Sequence, residues 1–216
     1  MNYSKAKEEM LDTITKHAMN ASNYTNTPVF SVETMQAMQT VNRHEFVPKT
    51  YQESSYDDRA MSIGYGQTIS QPYIVALMSD ILHLNKKSIV LEIGTGCGYH
   101  AAILSQLAAE VHTMEVVPEL AILAESNLNK SLNVHVHQDN GNLGYPNFAP
   151  YQGISVAAAA EAIPEALLKQ LAPNGRMIIP IGPTGGSQTL TLIEKLQNNT
   201  IIKTPILSVI FVPFIN

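Results

Sequence analysis

Cysteine, charged residues and long apolar runs are all scarce in this chain. The one cysteine, Cys97, cannot form an internal disulfide, so nothing ties the protein to an oxidising compartment. Charged residues make up 14% of the chain and the formal net charge is −5, with 13 Lys and Arg against 18 Asp and Glu. Without a cationic excess there is little to neutralise phosphates, which argues against general nucleic-acid binding. No uninterrupted apolar run approaches the ~20 residues that cross a bilayer, and the opening MNYSKAKEEM carries charge where a signal peptide needs an apolar stretch. The expectation is a cytoplasmic protein with no membrane partner, working as a monomer.

What is present is the composition of a globular enzyme. The chain has 216 residues, 45% of them hydrophobic, which suits one domain with a small appendage and a real core. Residues 1–60 read as a helical segment. Ala6, Met10, Leu11, Ile14 and Ala18 recur at helical spacing, which predicts a helix from Tyr3 to about Met19. A polar loop from Asn20 to Thr27 follows, then a second helix with Ser31 as N-cap and Val32, Met35 and Met38 on one face. Pro48 ends the unit.

From Ser88 the rhythm becomes strand, glycine turn, helix, strand. Expected strands are Ile89–Ile93, Val111–Glu115, Val134–His137, Ile154–Ala158 and Arg176–Pro180. Expected helices between them are Tyr99–Ala108, Pro118 to about Leu132, and Pro164–Leu171. This alternation predicts a doubly wound α/β fold with a mostly parallel sheet. Thr189–Lys195 and Ser208–Val212 are strand-like with no helix between them, so an antiparallel pair is expected at one end of the sheet.

Leu91-Glu92-Ile93-Gly94-Thr95-Gly96-Cys97-Gly98-Tyr99 sits at a strand-to-helix junction, where ligands of open α/β sheets bind. Glycines there admit a cofactor against the backbone. Glu115 ends the next strand roughly twenty residues on, where a carboxylate can accept both hydroxyls of a ribose. Three readings compete. A dinucleotide wants G-x-G-x-x-G, and here the third glycine comes too early. Glu92 would oppose a pyrophosphate but suits the cationic groups of S-adenosylmethionine. The third reading is a turn that serves only strand–helix packing.

The segment Ile63-Gly64-Tyr65-Gly66-Gln67-Thr68-Ile69-Ser70-Gln71-Pro72-Tyr73 resembles the signature of protein-L-isoaspartate O-methyltransferases. Further matches follow in order: Val41 to Pro48, the LEIGTGCGY turn, Ala162 to Leu167, Gly175 to Gly182, and Phe211-Val212-Pro213. The resemblance implies a Rossmann-like S-adenosylmethionine-dependent methyltransferase that methylates the carboxylate of L-isoaspartyl residues in damaged proteins. It makes Ser70 the catalytic residue, against the plainer reading that Ser70 caps the helix beginning near Pro72. The cofactor residues implied are Ile69, Ser70, Gln71, Glu92, Gly94, Thr95, Gly96, Cys97, Gly98, Glu115, Val116, Asn140 and Gly141, with no metal. A carboxylate with a pKa of ~4 is already anionic at neutral pH, so the reaction needs positioning rather than a general base.

Two acids of the family pattern are replaced. Asn140 stands where an Asp is usual, unless a one-residue shift brings in Asp139, and Gln152 replaces another. A divergent methyltransferase with another acceptor, or a non-catalytic S-adenosylmethionine-binding module, are the rival functions. Gln152 opens its strand at the amino edge of the sheet and is expected to join strand to backbone. Cys97 is read as a small side chain filling a tight turn, or as a thiol whose pKa falls at a helix N-terminus. His135 and His137, two apart on a strand, are expected on a partly exposed face rather than at a metal.

Overall fold

The computed structural model describes residues 3–214. Two helices open the chain, α1 (Tyr3–Thr25) and α2 (Val32–Thr40), followed by short 3-10 turns at Arg43–Glu45 and Lys49–Ser54. A hairpin of β1 (Met61–Gly64) and β2 (Gln67–Ile69) leads into α3 (Pro72–Ile81). The remaining elements are β3 (Ile89–Ile93), α4 (Tyr99–Leu107), β4 (Glu110–Glu115), α5 (Pro118–Asn127), β5 (Val134–Gln138), β6 (Tyr151–Val156), α6 (Glu165–Gln170), β7 (Leu171–Ile181), β8 (Gln188–Lys195) and β9 (Ile201–Val209).

Seven strands form one sheet in the order β5-β4-β3-β6-β7-β8-β9. Pairing is parallel from β5 to β7, then antiparallel at β7–β8 and β8–β9. The order turns back between β3 and β6, and ligands of such sheets bind at that switch point. The expected α/β fold is present, and the expected antiparallel pair, β8 and β9, stands at one end of the sheet next to β7.

Several expected boundaries shift, each for a packing reason. α1 runs through Asn20–Thr25, where a loop is expected, because its buried stripe of Met10, Ile14 and Ala18 continues to Thr25. Tertiary burial outweighs the modest helix propensity of Asn and Ser. Ser31 does cap α2, accepting from Thr34 N at 3.2 Å, but the buried face is Thr34, Ala37 and Met38, and Val32 is exposed. α5 stops at Asn127, five residues short, leaving Leu132 exposed. β6 begins at Tyr151 rather than Ile154: Tyr151 is fully buried, and Gly153 is tolerated because a Cβ there would lie 2.7 Å from Leu84. β7 likewise starts at Leu171 rather than Arg176. β9 covers Ile201–Val209 rather than Ser208–Val212; Pro205 hides it in the sequence, yet β9 is an edge strand, and the register shifts at Leu190/Thr191, where Thr191 pairs with Pro205.

Two arrangements position the site. α3 is buried along every residue but Asp80, so it is a core helix and not an amphipathic surface one. Its far end is tied to the antiparallel wing by Arg176, which donates to Ile81 O at 3.0 Å and to Glu194 Oε1 at 2.7 Å. Asp80 in turn accepts from Ser31 N at 2.9 Å, joining α3 to the start of α2.

At the opposite edge of the sheet from the switch-point mouth, Gln152 Oε1 accepts from Ile89 N at 2.7 Å, the strand-to-backbone role expected of it. Gln152→Ala removes one such bond, a loss of about 1 kcal/mol. For a chain of this size the melting temperature should fall by roughly 2–4 °C, with affinity for an adenosyl cofactor unchanged. Thermal melts and calorimetry on the same preparation test both halves of that expectation.

Candidate active site

A cleft of about 790 Å³ opens at the switch point. Its floor is the glycine turn after β3, with Gly94, Thr95, Gly96 and Cys97, flanked by Glu115 at the end of β4. One wall is the turn from β2 into α3, Gln67 to Gln71. The other walls were not foreseen. α1 contributes His17, Asn20, Ala21 and Tyr24, Ser187 just ahead of β8 adds to it, and the end of β9 with the residues after it contributes Leu207 to Val212. The continuing stripe of α1 and the Phe211-Val212-Pro213 match were the available signals for them.

The glycine turn is shaped by its contacts with β4. Gly94 N and Thr95 N both donate to Met114 O, at 2.9 and 3.1 Å. Glu115 Oε2 accepts from Gly96 N at 2.7 Å, and Oε1 from Val117 N at 3.0 Å. Each oxygen keeps capacity for a second bond. Gly98 starts α4 with φ +88°, and a Cβ there would meet Leu128 Cδ1 at 2.9 Å, so the turn can pass close to α5 only as glycine.

The assigned residues divide. Ile69, Ser70, Gln71, Gly94, Thr95, Gly96, Cys97 and Glu115 line the cleft. Val116 and Gly141 line a small adjoining recess that shares Gln67, Gly94 and Glu115 with it. Glu92, Gly98 and Asn140 reach neither. Gly98 faces α5 instead. Asn140 uses its side-chain oxygen to accept from Asn142 N at 2.9 Å, capping the 3-10 turn Gly141–Leu143, while Asp139 Oδ1 accepts from Asn140 N at 2.7 Å.

Glu92 is the larger correction. It is fully enclosed in β3, with Oε2 accepting from Thr113 Oγ1 at 2.5 Å and Thr113 in turn 2.7 Å from Thr95 Oγ1. Its Oε1 has no hydrogen-bond partner and faces His100 Nδ1 at 3.4 Å. Burial pushes the Glu92 carboxyl up to about 8, the Thr113 bond opposing and Glu115 adding to the rise. Burial also pushes His100 down to about 4, so both shifts favour the uncharged forms over an ion pair. Glu92 lies outside the cleft lining, and its enclosure disfavours a negative charge.

Among the described residues the cleft is lined by no Lys or Arg, and Glu115 is its one carboxylate side chain. A pyrophosphate would find no cation there, whereas a cationic ligand with a ribose meets Glu115.

Ser70 does not cap α3. Gln71 holds the N-cap position without a side-chain cap bond, and Asp58 Oδ1 accepts from Tyr73 N at 2.8 Å instead. Cys97 is buried, and burial raises its thiol to about 11, so it is the turn-filling side chain and not an activated thiolate. His135 and His137 share a face with buried His112, whose Nδ1 lies 3.0 Å from His137 Nε2. His137 stacks on Tyr145 and His112 on Phe148, each at 3.9 Å, which packs the segment after Gly141 onto the sheet.

The buried Glu92 carboxyl makes stability depend on pH. Its folded value lies above the ordinary 4.5, so between about 4.5 and 8 the unfolded chain releases a proton that the folded chain keeps, and stability falls as pH rises. Glu92→Gln removes that dependence. The melting-temperature difference, variant minus parent, should grow in favour of the variant from pH 5 to pH 8; a constant difference means that Glu92 is ionised in the folded protein.

With this geometry in place, comparison with known proteins is decisive. A family model described as protein-L-isoaspartate(D-aspartate) O-methyltransferase (PCMT) matches residues 8–216. Protein-L-isoaspartate O-methyltransferase 2 of Nitrosococcus oceani is 44% identical over 211 residues, 97% of this chain and 96% of the relative. Protein-L-isoaspartate O-methyltransferase of a Picosynechococcus species is 49% identical over 179 residues, 82% of this chain and 79% of the relative. A solved protein-L-isoaspartate O-methyltransferase superposes with a TM-score of 0.83 at 26% identity, covering 96% of this chain and 65% of that longer one. A Plasmodium falciparum protein solved with S-adenosyl-L-homocysteine shares the fold, with a TM-score of 0.80 at 23% identity over 95% of this chain and 96% of the other. The chain belongs to the protein-L-isoaspartate(D-aspartate) O-methyltransferase family.

Proposed function

We propose that the protein is an S-adenosylmethionine-dependent O-methyltransferase that methylates the carboxylate of L-isoaspartyl residues in damaged proteins. The observation that carries this reading is the joining of the Ser70 turn and the Glu115–glycine turn in one cleft without Lys or Arg. The lining fits the cofactor: backbone without side chains at Gly94 and Gly96, and a carboxylate at Glu115 for a ribose and against a positive charge. When bound, S-adenosylmethionine supplies a methyl group on a sulfonium centre.

The chain's own residues then have limited work. Glu115 holds the ribose hydroxyls while keeping Gly96 N–H in place. Val116 and Gly141 in the adjoining recess bound the adenine side, and Asn140 shapes that edge through its cap on the following turn. Ser70, whose hydroxyl is not spent on α3, donates to the acceptor carboxylate and fixes which oxygen faces the methyl donor. Ile69 and Gln71 hold the backbone on either side of it. The walls from α1 and from Leu207 to Val212 shed water from the acceptor. No group need remove a proton, because the acceptor is already anionic.

The same reading takes the whole chain as one catalytic unit, residues 1–60 included, since α1 forms a wall of the cleft. The working form proposed is a monomer. No helix among the described residues is long and apolar enough to cross a membrane. The cytosol is the compartment proposed, with no nucleic-acid partner, in keeping with the net charge of −5.

Labelled methyl incorporation into an isoaspartyl peptide and its aspartyl twin tests the activity: label enters the first and not the second. Label only in other acceptors, or cofactor binding without turnover, overturns it. Ser70→Ala should lower kcat/KM for the isoaspartyl peptide roughly tenfold to a hundredfold, the loss of one charge-assisted hydrogen bond, with cofactor affinity unchanged. Glu115→Ala should do the reverse, weakening S-adenosylmethionine binding roughly tenfold to a hundredfold in calorimetry.

A further inference from the structure

Asp58 belongs to none of the motifs read from the sequence, yet its carboxylate is the meeting point of the cleft's two sides. The side chain is only 6% exposed. Oδ1 accepts from Tyr73 N at 2.8 Å, in the first turn of α3. Oδ2 accepts from Gln71 Nε2 at 2.8 Å and lies 2.7 Å from His17 Nδ1 on α1. His17, Gln71 and Tyr73 all line the cleft, and the His17 and Tyr73 rings meet edge to face at 5.5 Å. One carboxylate thus binds both residues that frame the Ser70 turn on its α3 side and the helix that forms the opposing wall.

Asp58 is itself held from behind. Arg43 is fully buried, and its Nε donates to Ser55 O at 2.8 Å and its Nη2 to Arg59 O at 3.3 Å, bracketing Asp58 on both sides. The Arg43 guanidinium lies 4.9 Å over the ring of Tyr99, which is part of the cleft lining. Burying a guanidinium without a carboxylate in contact is costly, so the site repays it in geometry rather than in stability. The backbone at 55–59 is fixed relative to the cleft floor, and Asp58 transmits that fixity to the turn.

We propose that Asp58 is a positioning residue of the methyl transfer, holding the Ser70 turn and the α1 wall at one set separation so that the acceptor carboxylate is presented in a single orientation. This rests on the role given to Ser70 above. Sub-ångström placement matters in a reaction that relies on alignment, and a carboxylate shared by three donors has little freedom to drift. A plain helix cap would need only the bond to Tyr73.

Two measurements separate positioning from capping. In a kinetic cycle, Asp58→Asn keeps the volume and an acceptor for Tyr73 N but removes the charge shared by Gln71 and His17. The single variant should lose at least tenfold in kcat/KM for the isoaspartyl peptide, with S-adenosylmethionine affinity within twofold of the parent. Combined with Ser70→Ala it should be no worse than Ser70→Ala alone, because both act through one contact. Losses that multiply, or a lower melting temperature with unchanged kcat/KM, overturn the proposal. Hydrogen exchange needs no substrate: in Asp58→Asn, peptides covering residues 17–25 and 67–73 should both exchange at least tenfold faster. Faster exchange confined to the first turn of α3 also overturns it. A parent protein that labels no isoaspartyl peptide overturns the functional reading alone, and the exchange result still decides the role of Asp58.

Discussion

The bond from Gly96 N to the Glu115 carboxylate is the contact on which the rest of the site depends. It joins the end of β4 to the turn after β3, the strand from which the sheet order reverses. With Gly94 N and Thr95 N both on Met114 O, the turn is clamped to β4 at three successive residues. α4 then leaves the turn in one direction, and the space left above the clamp is the cleft. A carboxylate suits the task because it can accept from backbone and ligand together, which a neutral amide does less strongly.

The parallel half of the fold was legible because its signals are local. Ile89 to Ile93 is a continuous apolar run, and Pro118 opens a helix where proline is expected to. Legibility failed where tertiary contacts overrule local preference. Asn20 to Thr25 reads as loop, but burial of Thr25 extends α1 across it. Pro205 reads as a strand breaker, but an edge strand can carry it. The β1–β2 hairpin was passed over as a signature loop; its tip, Gly64-Tyr65-Gly66, has all three residues at positive φ, a demand that two glycines announce and Tyr65 conceals.

The site shows the same division. Spacing pointed to the glycine turn and Glu115, which lie on adjacent strands, and the family resemblance pointed to Ser70; all three line one cleft. Spacing did not reveal the enclosure of Glu92: alternation along β3 turns this carboxyl into the layer beneath α4, against His100 and Thr113. His17, Asp58 and Arg43 escaped notice for a related reason. Their partners lie 12 to 41 residues away in sequence, from Arg43 with Ser55 to His17 with Asp58, and no local pattern ties such residues together.

α3 is clamped at both ends, by Asp58 at its first turn and by Arg176 at its last. It behaves as a beam with two fixed supports, one at the cleft and one on the antiparallel wing. Such a beam cannot tilt until a support gives way, so small breathing of β8 and β9 is not passed on to Ser70 in proportion. The cleft should hold its shape on warming and then lose it abruptly, when the wing lets go of Arg176. The thermal endurance of this arrangement thus rests in part on the Arg176–Glu194 pair, two residues outside the cleft lining.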